Sequence, residues 1–169
     1  NTLRPYPSLD ANVASPSNIT TSLISVQSVV ADGNGTLWVL DTGAPNFSEP
    51  IKGGAKLVAV DLNSNTIKRV YTFTEDVVLP TTYLNDVRVD FRVGKAGYAY
   101  ITDSSSRGPG AIIVVDLETG YACRRLNGAN STSPDRFFLP KVEGKILMNR
   151  NEDGSASPFR LASDGIAIS

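Results

Sequence analysis

Four polar side chains at the starts of similar apolar segments are the main candidates for binding a ligand or a cation. Gln27 lies in the first of these segments, and Asn85 and Asp86 lie in the second. Asp164 stands at the start of the third. Amide and carboxylate oxygens suit Ca²⁺ or a polar organic ligand. The sequence therefore predicts a binding site at these four residues, with hydrogen bonding of exposed backbone at strand starts as the structural alternative.

The composition of the chain excludes several kinds of catalytic site, metal site and partner. The 169 residues contain no histidine, which excludes Ser-His and Cys-His catalytic pairs and histidine-ligated metal sites. Any metal would be a hard cation held by oxygens, and Ca²⁺ is the candidate. Sixteen basic residues against seventeen acidic ones argue against a nucleic-acid partner. No apolar run approaches the roughly 20 residues that span a bilayer, so no membrane span is expected.

A pattern of four short strands occurs twice along the chain. The apolar or alternating runs lie at 24–31, 37–40, 56–60 and 67–73, and again at 86–90, 98–103, 111–117 and 121–126. Turn residues such as the Asp-Gly-Asn-Gly sequence at 32–35 separate the runs, and no segment has a sustained helical period. A four-strand unit that recurs at about 60 residues is typical of β-propeller blades. The sequence therefore predicts an all-β fold.

The repeat divides the chain into five segments. They are an extended lead-in at 1–22, propeller blades at 23–74 and 75–126, a long connecting loop at 127–162 and the first strand of a next blade at 163–169. A propeller closes a ring of four to eight blades, so two to three blades predict a fragment of a longer chain. Because the first strand of each blade lines the central channel, the polar residues at these strands are expected to converge.

Several of these segments carry a resemblance to a known family. They include LWVLDTG at 37–43, YLNDVRVD at 83–90, AYITDS at 99–104 and SDGIAIS at 163–169. Through them the chain resembles the Yellow/major royal jelly protein family, more particularly its fungal members, from about residue 23 to the end. The resemblance implies a secreted, six-bladed β-propeller, of which this chain is a part.

Members of this family differ in what they do, so the resemblance leaves three hypotheses. The first is a propeller that binds a small aromatic or amine ligand, with Tyr83 and Phe91 near Asp86 as its walls, or that acts structurally. The second is a dopachrome-converting enzyme, in which carboxylates such as Asp86 or Asp164, or a tyrosine, move the proton. The third is a metal-dependent, lactonase-like hydrolase. The first is preferred, since the second lacks the histidine that proton transfer most often uses.

The third hypothesis rests on a more distant similarity, to gluconolactonase-like propellers. In those proteins an Asn of an Asn-Asp motif and an Asp of an Asp-Gly motif bind a divalent metal. Asn85 and Asp164 match these motifs, which implies a metal site at the two residues. Gln27 stands where that group has a glutamate, and the loss of this charge weakens the metal hypothesis.

Four Asn-x-Ser/Thr sequences bear on the compartment. They begin at Asn18, Asn34, Asn46 and Asn130. Such sequences are acceptors for N-glycosylation in secreted proteins. The sequence therefore predicts an extracellular glycoprotein, in agreement with the compartment that the resemblance implies.

Overall fold

The chain is built almost entirely from short antiparallel strands. The computed structural model describes residues 3–151 and 153–169. Within these residues there are two four-stranded sheets, two two-stranded sheets and only two short 3₁₀ turns, Asp10–Asn12 and Pro45–Phe47. No helix of the described residues is long and apolar enough to cross a membrane. The prediction of an all-β fold is confirmed.

The first sheet, here called blade 1, contains four strands in chain order. They are β1 (Val26–Ala31), β2 (Thr36–Asp41), β3 (Lys56–Asp61) and β4 (Thr66–Thr72). The β1–β2 turn forms because Asp32 Oδ1 accepts hydrogen bonds from the backbone N–H groups of Asn34, at 2.7 Å, and Thr36, at 3.1 Å. Gly33 and Gly35 supply the positive φ angles, 76° and 85°, that the same turn requires.

The second sheet, blade 2, repeats this arrangement. Its strands are β5 (Leu84–Asp90), β6 (Tyr98–Asp103), β7 (Ala111–Asp116) and β8 (Ala122–Arg125), again in chain order and antiparallel. In both blades the innermost pairing has an irregularity near the start of the first strand, between Val26 and Ser28 and between Leu84 and Val87. The two blades are therefore repeats of one unit.

The core lies between the facing sides of the two blades. Alternate residues of each strand point to the same side of a sheet, and these residues form one buried cluster. It includes Trp38, Leu40, Leu57, Val87, Ala99, Ile101, Ile113 and Val115. At one edge Arg69 Nη1 and the Tyr71 hydroxyl donate hydrogen bonds to the carbonyl of Leu117, at 2.8 and 2.9 Å. Face-to-face packing of consecutive four-stranded sheets is the arrangement of propeller blades, and the fold is a partial β-propeller.

The segment after blade 2 contains two small hairpins. They consist of β9 (Lys141–Val142) with β10 (Lys145–Ile146), and β11 (Met148–Arg150) with β12 (Ala156–Pro158). Glu143 and Gly144 both have positive φ, 50° and 78°, which suits a two-residue hairpin turn. Strands of two or three residues are too short for an alternation to be read, so the sequence predicts only a long loop here.

Residues 163–169 are not assigned as a strand, and they contact blade 2. The hydroxyl of Ser163 donates to the carbonyls of Asp103 and Ala111, and the Thr102 hydroxyl donates to the carbonyl of Asp164. These contacts fix the position of Asp164 relative to β6 and β7. That 163–169 forms the first strand of a further blade stays a prediction.

Candidate functional site

A cavity of about 740 Å³ opens at the end of the two blades where β1 and β5 begin. This volume falls within the range of small-molecule sites. The lining residues used below are Gln27, Phe47, Tyr83, Asn85, Arg107, Phe159 and Asp164. Three of the four residues singled out in the sequence, Gln27, Asn85 and Asp164, thus line a single cavity.

A hydrogen-bond chain across the two blades forms one side of the cavity. The Tyr83 hydroxyl donates to Gln27 Oε1 at 2.8 Å, and Gln27 Nε2 donates to Asn85 Oδ1 at 2.9 Å. Burial raises the pKa of Tyr83, so its hydroxyl stays protonated and remains a donor at neutral pH. Gln27 therefore joins blade 1 to blade 2 through both atoms of its amide.

An aromatic pair forms another side. The rings of Phe47 and Tyr83 are stacked, with centroids 5.0 Å apart and planes inclined by 27°. Phe47 reaches this position through a turn in which Asn46 and Phe47 both have left-handed φ, 55° and 59°. The pair leaves an aromatic surface facing the cavity, since 76% of Phe47 is exposed.

Phe91, the second aromatic wall expected near Asp86, lies elsewhere. It follows β5 at the other end of the strand, and its ring lies 6.4 Å from that of Trp38. A strand of seven residues separates the two ends by roughly 20 Å, so Phe91 and Tyr83 cannot face one ligand. The phenylalanines that line the cavity are Phe47 and Phe159.

Asp86, the fourth predicted residue, does not line the cavity. Its Oδ1 accepts hydrogen bonds from Ser28 Oγ, Val87 N–H and Arg88 Nη1, at 3.1, 2.9 and 2.7 Å. Its Oδ2 accepts from Ile166 N–H at 3.3 Å. Burial alone would raise the pKa of Asp86, but these hydrogen bonds together bring it below the ordinary value. The carboxylate therefore connects blade 1, blade 2 and the C-terminal segment.

Buried aspartates at the ends of β2 and β6 hold the backbone that precedes each first strand. Asp41 accepts the N–H groups of Ile24 and Ser25, at 2.7 and 2.9 Å. Asp103 accepts the Tyr83 N–H at 3.0 Å and the Thr82 hydroxyl at 2.8 Å. Asp41 pairs with Lys56, and Asp103 pairs with Arg124. We call each of these ion pairs, with the backbone groups that its aspartate holds, an aspartate hub. The second hub positions Tyr83, and with it one wall of the cavity.

The cavity also carries two opposite charges, those of Asp164 and Arg107. Neither side chain forms an ion pair with another residue in the described part of the chain. Over the same residues, no group of three or more Asp, Glu, Cys or His side chains is arranged to hold a metal ion. Asn85 and Asp164 contribute two of the six to eight oxygens that calcium prefers, and Asn85 Oδ1 already accepts a hydrogen bond from Gln27. The donor set fits a polar organic ligand better than Ca²⁺.

The four predicted glycosylation sites differ in their surroundings. Asn34, Asn46 and Asn130 are exposed, and Asn46 adjoins the cavity wall. Asn18 is half-buried, its Oδ1 accepts from the Ser15 N–H at 2.6 Å, and its Nδ2 donates to the Val13 carbonyl at 2.9 Å. The folded chain thus presents three of the four acceptor amides to solvent, and their glycosylation stays a prediction.

Consecutive four-stranded sheets packed face to face define the class of protein, a partial β-propeller, and the candidate cavity lies where the first strands of the two sheets begin. The sequence model of the major royal jelly protein family matches residues 24–158, and the chain belongs to that family. The family resemblance read from the sequence is confirmed. No curated protein matches the chain significantly. The fungal subtype and the similarity to gluconolactonase-like propellers stay predictions.

Proposed function

We propose that this chain forms part of a secreted β-propeller that binds a small aromatic cation in the cavity between blades 1 and 2. The observation that carries the proposal is the combination of a stacked Phe47–Tyr83 pair and the Asp164 carboxylate on one cavity. Aromatic faces attract both aromatic rings and cations, and a carboxylate adds a counter-charge for an ammonium group. An extracellular location is the part of the proposal that family membership supports.

The hydrogen-bond chain gives such a site a fixed shape. Gln27 is held from both sides, by Tyr83 and by Asn85. A site whose polar groups are already oriented loses less entropy when a ligand binds, because fewer side chains must be ordered. This supports a binding role that needs no movement of the two blades.

The enzymatic alternatives have less support from the geometry. A tautomerase needs a carboxylate or phenol that is free to move a proton, and Asp86 is engaged in hydrogen bonds on both of its oxygens. The raised pKa of Tyr83 makes it a poor base. Asp164 alone is left for that role. A metal-dependent hydrolase has less support because, among the described residues, no group of three or more Asp, Glu, Cys or His side chains is arranged to hold a metal ion.

Calorimetric titration with three probes tests the proposal. We expect 2-phenylethylamine to bind more tightly than 2-cyclohexylethylamine, because only the former has an aromatic ring to stack, and benzyl alcohol to bind least, because it has no ammonium. Asp164→Asn should weaken the binding of 2-phenylethylamine roughly threefold to fivefold, the scale of an exposed ion pair. The matched control is the exposed Asp76→Asn, outside the cavity lining.

Two results would contradict the proposal. One is the absence of measurable binding for both amines at millimolar concentration. The other is an equal loss of affinity in Asp164→Asn and Asp76→Asn, which would place the ammonium away from the cavity. Turnover of dopachrome by the protein would favour the enzymatic alternative instead.

A further inference from the structure

Arg107 is a cavity residue to which the proposed function gives no role. It lies in the loop between β6 and β7, among residues that line the cavity on the side of blade 2. The Ser105 side chain is fully buried, and its Oγ accepts the backbone N–H groups of Arg107 and Gly108, at 3.3 and 2.8 Å. The backbone that carries the guanidinium is thus fixed by a buried hydroxyl.

Close packing of the same loop against the cavity rim limits its movement further. A Cβ added at Gly108 would lie 2.0 Å from Thr81 Oγ1 and 2.7 Å from Thr81 Cβ. Thr81 itself lines the cavity, so the loop has no room to shift towards it. Only glycine permits this approach, and Arg107 is therefore held at the rim by the residues on both of its sides.

The charges of Arg107 and Asp164 are both available to a ligand. Both line one cavity, yet their charged nitrogen and oxygen atoms are more than 4 Å apart. In the part of the chain that the structure describes, neither forms an ion pair with another residue. A guanidinium presents a planar fork of donors that matches a carboxylate. A cavity with separate positive and negative groups is complementary to a ligand that carries both charges.

We propose that the preferred ligand is an aromatic amino acid, whose ammonium group binds at Asp164, whose carboxylate binds at Arg107 and whose ring packs against the Phe47–Tyr83 pair. This inference rests on the proposed function and names the ligand class of the same site. It differs from that function in one respect, because it requires a carboxylate on the ligand.

A matched pair of probes isolates that requirement. L-phenylalanine and 2-phenylethylamine differ only in the carboxylate, and calorimetric titration gives the affinity of each. We expect L-phenylalanine to bind roughly threefold to fivefold more tightly, the scale of an exposed ion pair. Arg107→Gln should abolish this ratio, because the guanidinium is the partner of the ligand carboxylate, and Arg107→Lys should retain part of it.

The control and the contrary outcomes separate this inference from the proposed function. Arg125→Gln changes an exposed arginine of β8 that does not line the cavity, and should leave the ratio as in the wild type. Equal or tighter binding of 2-phenylethylamine, or the same ratio in Arg107→Gln and Arg125→Gln, would overturn the amino-acid ligand and leave the proposed function standing. Failure of both probes to bind would overturn both.

Discussion

The two blades contain the same aspartate hub but complete it with different cations. In blade 1, Asp41 pairs with Lys56 on β3 at 3.2 Å, and both side chains are fully buried. In blade 2, Asp103 pairs with Arg124 on the edge strand β8 at 2.9 Å. Ala111 stands opposite Asp103 in the sheet, where Lys56 stands opposite Asp41. The aspartate is thus repeated while its partner comes from a different strand.

Because the two cations differ, each hub stabilises a different part of the chain. The Lys56 ammonium also donates to the carbonyl of Ile19 at 3.1 Å, so the first hub holds the lead-in against blade 1. The Arg124 guanidinium donates to the carbonyls of Val77 and Pro109, at 2.8 and 3.0 Å, and to the Thr82 hydroxyl at 3.1 Å. The second hub therefore holds the loops around the cavity. The first hub serves stability, and the second serves stability and the site.

The largest expected effect comes from removing the cation of the first hub. Lys56→Met leaves the Asp41 carboxylate buried without a counter-charge, and breaking a buried pair in this way costs about 3 kcal/mol or more. Chemical denaturation should report this loss in the free energy of unfolding. Lys68→Met is the matched control, because Lys68 pairs with Asp61 at the surface of the same blade and should cost less than about 1 kcal/mol. Equal losses of unfolding free energy in both variants would contradict the claim that Lys56 neutralises a buried Asp41.

A smaller loss of stability, accompanied by a loss of binding, is expected in the second hub. Arg124→Met should cost about 3 kcal/mol, slightly less than Lys56→Met, because the Arg124 side chain is 7% exposed whereas that of Lys56 is fully buried. The same variant should weaken the binding of 2-phenylethylamine, since the loop positions of Thr82 and Pro109 depend on it. Calorimetric titration of Arg124→Met and of its exposed neighbour, Arg125→Met, separates the two effects. An unchanged affinity of Arg124→Met for 2-phenylethylamine would show that the second hub does not position the cavity.

The smallest effect concerns the contact between the blades at Asp86. Its pKa is lower in the folded protein than its ordinary value, so its stabilising contribution is present above about pH 4 and is lost as the pH falls through the folded pKa. The difference in unfolding free energy between wild type and Asp86→Asn should therefore shrink between pH 5 and pH 2. Ser28→Ala removes one of the hydrogen bonds to this carboxylate and should give a weaker version of the same trend. A difference that does not change with pH would be the contrary result.

The blades could be predicted from the sequence because the patterns that indicate strands and turns lie within short stretches of the chain. Turn residues such as those at 32–35, and alternation along the strands, give the element order without any knowledge of packing. The repeat then brings Gln27 and Asn85 together, since they occupy equivalent positions of the two blades and such positions lie at the same end of the fold. The buried cations could not be assigned, because Lys56 and Arg124 have no special spacing relative to their aspartates.

The rest of the cavity could not be predicted, for two physical reasons. Phe47 and Arg107 lie on loops, and the direction of a loop depends on contacts such as that of Gly108 with Thr81, which no periodicity encodes. The sequence predicts Asp86 together with Asn85 because the two are adjacent. Consecutive side chains leave a strand in different directions, so only one of them reaches the cavity.

The central claim, that the cavity between the two blades binds an aromatic cation, is tested most directly by a crystal structure of the protein with 2-phenylethylamine. The account predicts a ligand whose ring contacts Phe47 and Tyr83 and whose ammonium nitrogen lies within about 3 Å of the Asp164 carboxylate, a normal charge-assisted hydrogen-bond distance. Ligand density at another place on the protein, with this cavity free of ligand, would contradict it.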